Sequence, residues 1–224
     1  MKKVIAVTLL SLSAICCEAV LFKNSVDLAE LAEVPADALI EIRDTEFEAF
    51  LAQVGLGSAR AAEGRAAGAV RAADRLLETE DLDLKAGKAE VKAAKANQNV
   101  ERLAAAEAVL TAAERDQRSA RQFLQWKEHE RETRQAEEKV AATRLDLAEA
   151  RRDLARAELL IRHRIPAASQ YDISDLSKTV RKRQAEFENA SRKAAAKALE
   201  LERLEREWLR LAGAARTSPE GPVE

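Results

Sequence analysis

From residue 88 to residue 165, between Gly87 and Pro166, the chain has neither glycine nor proline. Most of its residues there are Ala, Glu, Lys, Arg, Leu or Gln, the strong helix formers. At 1.5 Å rise per residue, one unbroken helix over this run would be about 115 Å long. A chain built around such a rod has a thin seam of side chains for a core rather than a wide interior. Composition agrees: 47% of residues are hydrophobic, but only 4% are aromatic, and much of the apolar content is alanine. With 34% charged residues this is the signature of long helices and coiled coils. The expected fold is all-α, an elongated set of antiparallel coiled-coil hairpins around one very long central helix.

Heptads supply the pairing. In the central run Leu103, Leu110, Gln117 and Leu124 recur every seven residues, followed at +3 by Ala106, Ala113 and Ala120. A second row, Trp126, Thr133, Val140, Leu147, Leu154 and Ile161, is offset by two residues. Such a slip changes the apolar face, so the partner helix is expected to change near Trp126. Beyond Pro166, Ile173, Val180, Phe187, Ala194, Leu201 and Trp208 form another seven-spaced row. Folding this helix back about Pro166 sets Ile161 opposite Ile173, Leu154 opposite Val180, Leu147 opposite Phe187, Val140 opposite Ala194 and Trp126 level with Trp208. The charged stretch 127–139 has no large apolar residue, yet it lacks loop formers and is expected to stay helical.

The remaining boundaries follow from breakers and caps. Helices are expected at about 35–54, 58–79, 88–163 and 173–212, within one coiled-coil domain over 35–213. Leu39, Ile42, Phe47, Phe50 and Val54 give the first of these an apolar face. Gly55-Leu56-Gly57 interrupts it, and 80–87, with Asp81, Asp83 and Gly87, is the expected reversal. Asp172 is placed to cap the last helix, with Tyr171 and Leu176 as a hydrophobic staple. Gly213 is expected to stop it, leaving 214–224 as a disordered tail.

The N-terminus carries the targeting information. Residues 1–19 read as an export signal, with Lys2 and Lys3 before an apolar run from Val4 to Ile15. Leu12-Ser13-Ala14-Ile15-Cys16-Cys17 resembles a bacterial lipobox, which makes Cys16 and Cys17 candidates for lipidation, although Ile15 stands where a small residue belongs. Cleavage after Ala19 and retention as an uncleaved anchor are the competing routes. These are the chain's two cysteines, so neither a disulfide framework nor a Cys-His zinc site is expected. Residues 20–34 read as a linker, with Phe22 to Val34 an acidic linker or a first helical turn.

Charge is uneven though the formal net is −2, which does not favour nucleic acid. From 27 to 54 eight acids face Arg43 alone, whereas 178–210 holds ten Lys or Arg against six Glu. The acidic start is expected to approach the basic end around Arg203, Arg206 and Arg210. No phosphate loop, HExxH or GxSxG occurs, and His129 and His163 stand apart. No enzyme activity, catalytic residue, metal or cofactor is expected.

Signal, composition and heptads together resemble small helical lipoproteins of the bacterial cell envelope. The pattern is also similar, more loosely, to periplasmic helical-hairpin proteins such as tentacle-type chaperones and efflux adaptors. The resemblance implies an exported, membrane-tethered protein of the periplasm or outer membrane that scaffolds envelope protein partners, or alternatively a holdase-type chaperone. Pairing within one chain and pairing in a homo-oligomer give the same heptads, so oligomeric state stays open.

Overall fold

A computed structural model describes residues 26–216, with side chains as far as Arg210. Three long helices account for most of it: α1, Arg43–Ala96; α2, Val100–Arg162; and α3, Ile173–Arg216. Tighter 3-10 turns lie at Leu28–Glu33, Ala38–Ile42 and Pro166–Gln170. There is no strand among the described residues, and the fold is all-α, made of long helices packed against one another. Signal, lipidation and anchor expectations at 1–19, including Cys16 and Cys17, lie outside the described residues, as do residues 217–224.

The reversal falls later than the sequence suggested. α1 runs unbroken through Gly55, Gly57 and the 80–87 stretch, so residues 88–96 end α1 instead of opening the central helix. Gly87 marks a close approach: a Cβ there would stand 3.4 Å from the Leu110 Cα of α2. The turn is Asn97-Gln98-Asn99, with Gln98 at φ 51. The Asn99 side chain accepts the Arg102 amide at 2.9 Å and caps α2. At the other end α2 closes with Arg164 at φ 54, the Arg164 amide donating to Ile161 O and the Ile165 amide to Leu160 O, both at 3.0 Å. That is a Schellman closure, and Pro166 directly after it forbids helix continuation. α3 continues through Gly213 to Arg216, past the expected stop.

The described residues form two compact units. In the first, residues up to Ala52 pack with 144–185. Its core contains Val26, Leu31, Val34, Ala38 and Ile42 against Ala157, Leu159, Leu160 and Leu176. Residues 26–34 are therefore the helical turn of the two expected alternatives and not a free linker, with Val26, Leu31 and Val34 in the core. Pro35 begins a 3-10 turn, its carbonyl accepting the Ala38 amide at 3.0 Å, and the α-helix starts only at Arg43. Asp172 caps α3, its carboxylate accepting the Ser174 amide at 2.8 Å, while Leu176 and Tyr171 enter the core as a staple would.

In the second unit, 53–143 pack with 186 onward. Antiparallel pairing of α1 and α2 is fixed by contacts that descend one helix as they climb the other. Lys95 lies near Glu107, Asp81 accepts from Gln117, Glu63 from Arg131 and Gln135, and Glu138 from Arg60. α1 thus accompanies α2 well past Trp126, where a handover to α3 was expected. With the turn moved to Asn97–Asn99, α1 is long enough to stay beside α2 when α3 joins. The charged stretch 127–139 is continuous helix. Alanines line the α1–α2 seam, with Ala66, Ala73, Ala106, Ala113 and Ala120 all buried.

Candidate interaction surface

The proposed α2–α3 pairing residues divide as follows. Trp126 and Trp208 stack with centroids 5.0 Å apart and planes 13° apart, and Phe123 tilts against both at 5.7 and 5.5 Å. Lys127 Nζ lies 3.8 Å over the Trp126 ring, a cation–π contact. One and two turns on, Lys197 bonds Glu132 at 2.7 Å, which holds the Glu132 carboxyl below its usual range, and the Thr133 hydroxyl reaches the Lys197 carbonyl at 3.5 Å. Leu147 is buried; Val140, Leu154, Ile173, Val180, Phe187 and Leu201 are half-buried. Leu154 and Ile173 both pack on the core of the first unit. Ile161 departs from the set: it is 46% exposed, and Leu159 and Leu160 are buried in its stead. A straight helix drifts from a strict seven-residue repeat, and the last turns of α2 must serve partners on two sides.

The acidic start of the chain finds its cations near the end of α2, within the first unit, and not at Arg203, Arg206 and Arg210. Arg156, buried at 6% exposure, donates to both Glu46 carboxylate oxygens at 2.6 and 2.9 Å and to the Val26 carbonyl at 3.0 Å. Arg162 pairs with Glu41, and the Tyr171 hydroxyl donates to Glu30 at 2.6 Å. Burial, then the Glu30 bond, pushes the Tyr171 phenol up to about 12.

What these contacts hold in place is an apolar surface. In the first turns of α1 the residues facing inward are small: Ala49 and Ala52 pack on Ala148. The large ones point away: Phe47 and Phe50 are each 58% exposed and Leu51 46%. Their rings stack at 6.4 Å. Phe47, Phe50 and Leu51 follow the i, i+3, i+4 rule and so form one stripe. Just before it, Leu28, Leu31, Ala32, Leu39 and Ile42, with Arg43 and Glu46, line a groove of about 510 Å³. Arg43 and Glu46 lie one turn ahead of Phe47 and Phe50 on the same side of the helix, so the groove lies next to the stripe along α1.

Of the apolar face expected from Leu39, Ile42, Phe47, Phe50 and Val54, Ile42 is buried, whereas Phe47, Phe50 and Val54, the last 51% exposed, face outward. α1 carries two stripes, and the alanine one wins the interior because an alanine-lined partner permits an approach that phenylalanine would block. Ala49, Ala52 and Leu56 at helical spacing were the signal for it.

Another concavity, in the second unit, is lined by Leu76, Glu80, Asp116, Ser119, Phe123 and Trp208. Burial, with Asp116 and Asp83 nearby, raises the Glu80 carboxyl. Among the described residues no group of His, Cys, Asp and Glu is placed to hold a metal ion, and no helix is long and apolar enough to cross a membrane. The fold and this surface define an all-α protein with an unpartnered apolar face. No protein family, curated protein or solved structure matches the chain.

Proposed function

We propose that the chain is a non-enzymatic scaffolding protein of the bacterial cell envelope. It is exported by residues 1–19, tethered through Cys16 or Cys17, and presents a helical surface to an envelope protein partner. The observation that carries this reading is the exposed Phe47–Phe50–Leu51 stripe. Large apolar side chains contiguous on a surface mark interaction sites, whereas scattered ones do not. A photo-crosslinking amino acid placed at Phe50 is expected to trap a partner in envelope preparations, and the trapped band should vanish in Phe47→Ser. Absence of any cross-link from position 50 in folded protein would refute the reading. Fatty-acid labelling that is lost in a Cys16→Ser/Cys17→Ser double variant tests the tether. Suppressed aggregation of an unfolded barrel protein, lost in Phe47→Ser, would instead identify a holdase chaperone.

A further inference from the structure

We infer that the occupant of the Phe47–Phe50–Leu51 stripe and its adjoining groove is a basic amphipathic helix of a partner protein. This rests on the scaffolding reading and specifies the partner's chemistry. Three occupants could cover an apolar helix face: a second copy, a lipid surface or a partner protein. Charge decides among them.

Along 27–54 eight acids stand against Arg43. Some are engaged inside the chain: Glu46 by Arg156, Glu41 by Arg162 and Glu30 by Tyr171. On α1 itself Asp44 and Glu48, both exposed, form an i, i+4 acidic edge beside the i, i+4 pair Phe47 and Leu51. Asp44 lies 3.8 Å from Arg43, with side chains 91% and 74% exposed. A second copy would set this edge against another like it, and like charges in register oppose docking. An anionic bilayer meets the same repulsion. A helix with Lys or Arg flanking its apolar face meets attraction on the edge and burial on the stripe.

The surface also has the form a helix needs. A stripe at i, i+3, i+4 is a ridge that packs into the groove of a second helix. The groove lined by Leu31 and Ile42, about 510 Å³, lies one helical turn before the stripe and has room for one large apolar anchor.

The test uses the full chain and two peptides of about 18 residues, each with one leucine face and with either Lys or Glu at all other positions. Anisotropy titration should show the Leu–Lys peptide binding at least about tenfold tighter than Leu–Glu. Phe47→Ser/Phe50→Ser should weaken Leu–Lys binding about tenfold or more, as loss of aromatic anchors does. Asp44→Asn/Glu48→Gln should weaken it about threefold or more and flatten its salt dependence. Circular dichroism checks that each variant folds; Phe50→Ala is the milder substitute if the double variant does not. Equal binding of both peptides, or binding indifferent to either variant, overturns the inference. So does a dimer in sedimentation equilibrium that Phe47→Ser/Phe50→Ser dissolves, which assigns the face to a second copy. Flotation with phosphatidylcholine vesicles that the same variant abolishes assigns it to lipid. If cross-linking from position 50 keeps its yield in Asp44→Asn/Glu48→Gln, the scaffolding reading stands and the basic partner falls. If position 50 traps nothing, the scaffolding reading itself falls.

Discussion

Gly57 and Gly87 occupy the same helix and have opposite reasons to be there. A Cβ at Gly57 would meet nothing within 4 Å, whereas one at Gly87 would lie 3.4 Å from the Leu110 backbone. Neither has a positive φ, so neither needs glycine's conformational freedom. Gly57→Ala is therefore expected to stabilise the protein by about 0.5–1 kcal/mol through helix propensity alone. Gly87→Val should destabilise it by about 1–3 kcal/mol, because its methyls overpack the seam against backbone that cannot step aside. Urea unfolding followed by circular dichroism measures both, and a stabilising Gly87→Val would mean that α1 and α2 are not in close approach there. This contrast also shows what sequence alone could not reveal. A glycine in an otherwise helical run signals a turn and a close contact equally well, and only the position of Leu110 separates them. Tyr171 makes a different residue-scale point. Its folded phenol is held at about 12 against an ordinary 10.0, so the fold favours the protonated form. The stability this contributes is complete below pH 10 and disappears as pH rises toward 12. Tyr171→Phe should unfold less steeply across that window; equal slopes would show that the Glu30 bond and the burial have no such effect.

At the scale of elements, the α2–α3 pairing was legible because its side chains are large and regularly spaced. Trp126 and Trp208, set level by heptads alone, stack at 5.0 Å. The indoles are expected to quench each other. Trp126→Phe and Trp208→Phe should each emit more than half of the native fluorescence per molecule, so that their sum exceeds the wild type at equal concentration. Strictly additive emission would place the rings apart. That α1 packs on the first half of α2 through small residues was legible, but its register and extent were not, for a physical reason. Alanine stripes are small on every side, so register is set by occasional landmarks such as Gly87 against Leu110 and by where the reversal falls. That reversal is made by Gln98 in a left-handed conformation, a residue type that advertises nothing, and its neighbouring asparagines were the available hint. An expected reversal at 80–87 shortens α1 and shifts its register on α2, and spacing alone does not tell which of its two stripes, the one with Phe47 and Phe50 or the one with Ala49 and Ala52, faces inward.

For the molecule as a whole, charge was read correctly as uneven and incorrectly as to where it is met. Acids of 27–48 find Arg156, Arg162 and Tyr171, more than a hundred residues away in sequence, a separation at which side-chain spacing carries no signal. The ion pairs that result are of two kinds. Arg60–Glu138, Lys197–Glu132 and Lys95–Glu107 lie at the surface, with side chains between 33% and 66% exposed. Such pairs contribute about 0–1 kcal/mol each and are screened by salt. Arg156 is 6% exposed and makes three bonds, two to the Glu46 carboxylate and one to the Val26 carbonyl, which join the start of the chain to α2. The Glu46 side chain stays 34% exposed, so it is removal of Glu46 that strands a buried charge. That leaves the Arg156 guanidinium unmet at a cost of about 3 kcal/mol or more, while removal of Arg156 unties the Val26 carbonyl as well. Raising sodium chloride from about 0.05 to 0.5 M should then shift the unfolding midpoint only slightly, although the chain holds 37 basic and 39 acidic residues. Arg156→Ala should lower it far more at either salt concentration. Arg156→Ala/Glu46→Ala should cost less than the sum of its single variants, because the second deletion removes the charge that the first had stranded. Thermal melts of the four proteins at both salt concentrations decide the matter. A large salt effect with a small Arg156→Ala effect would mean that the many exposed pairs, and not this one anchor, keep the acidic segment seated and the Phe47 face turned outward.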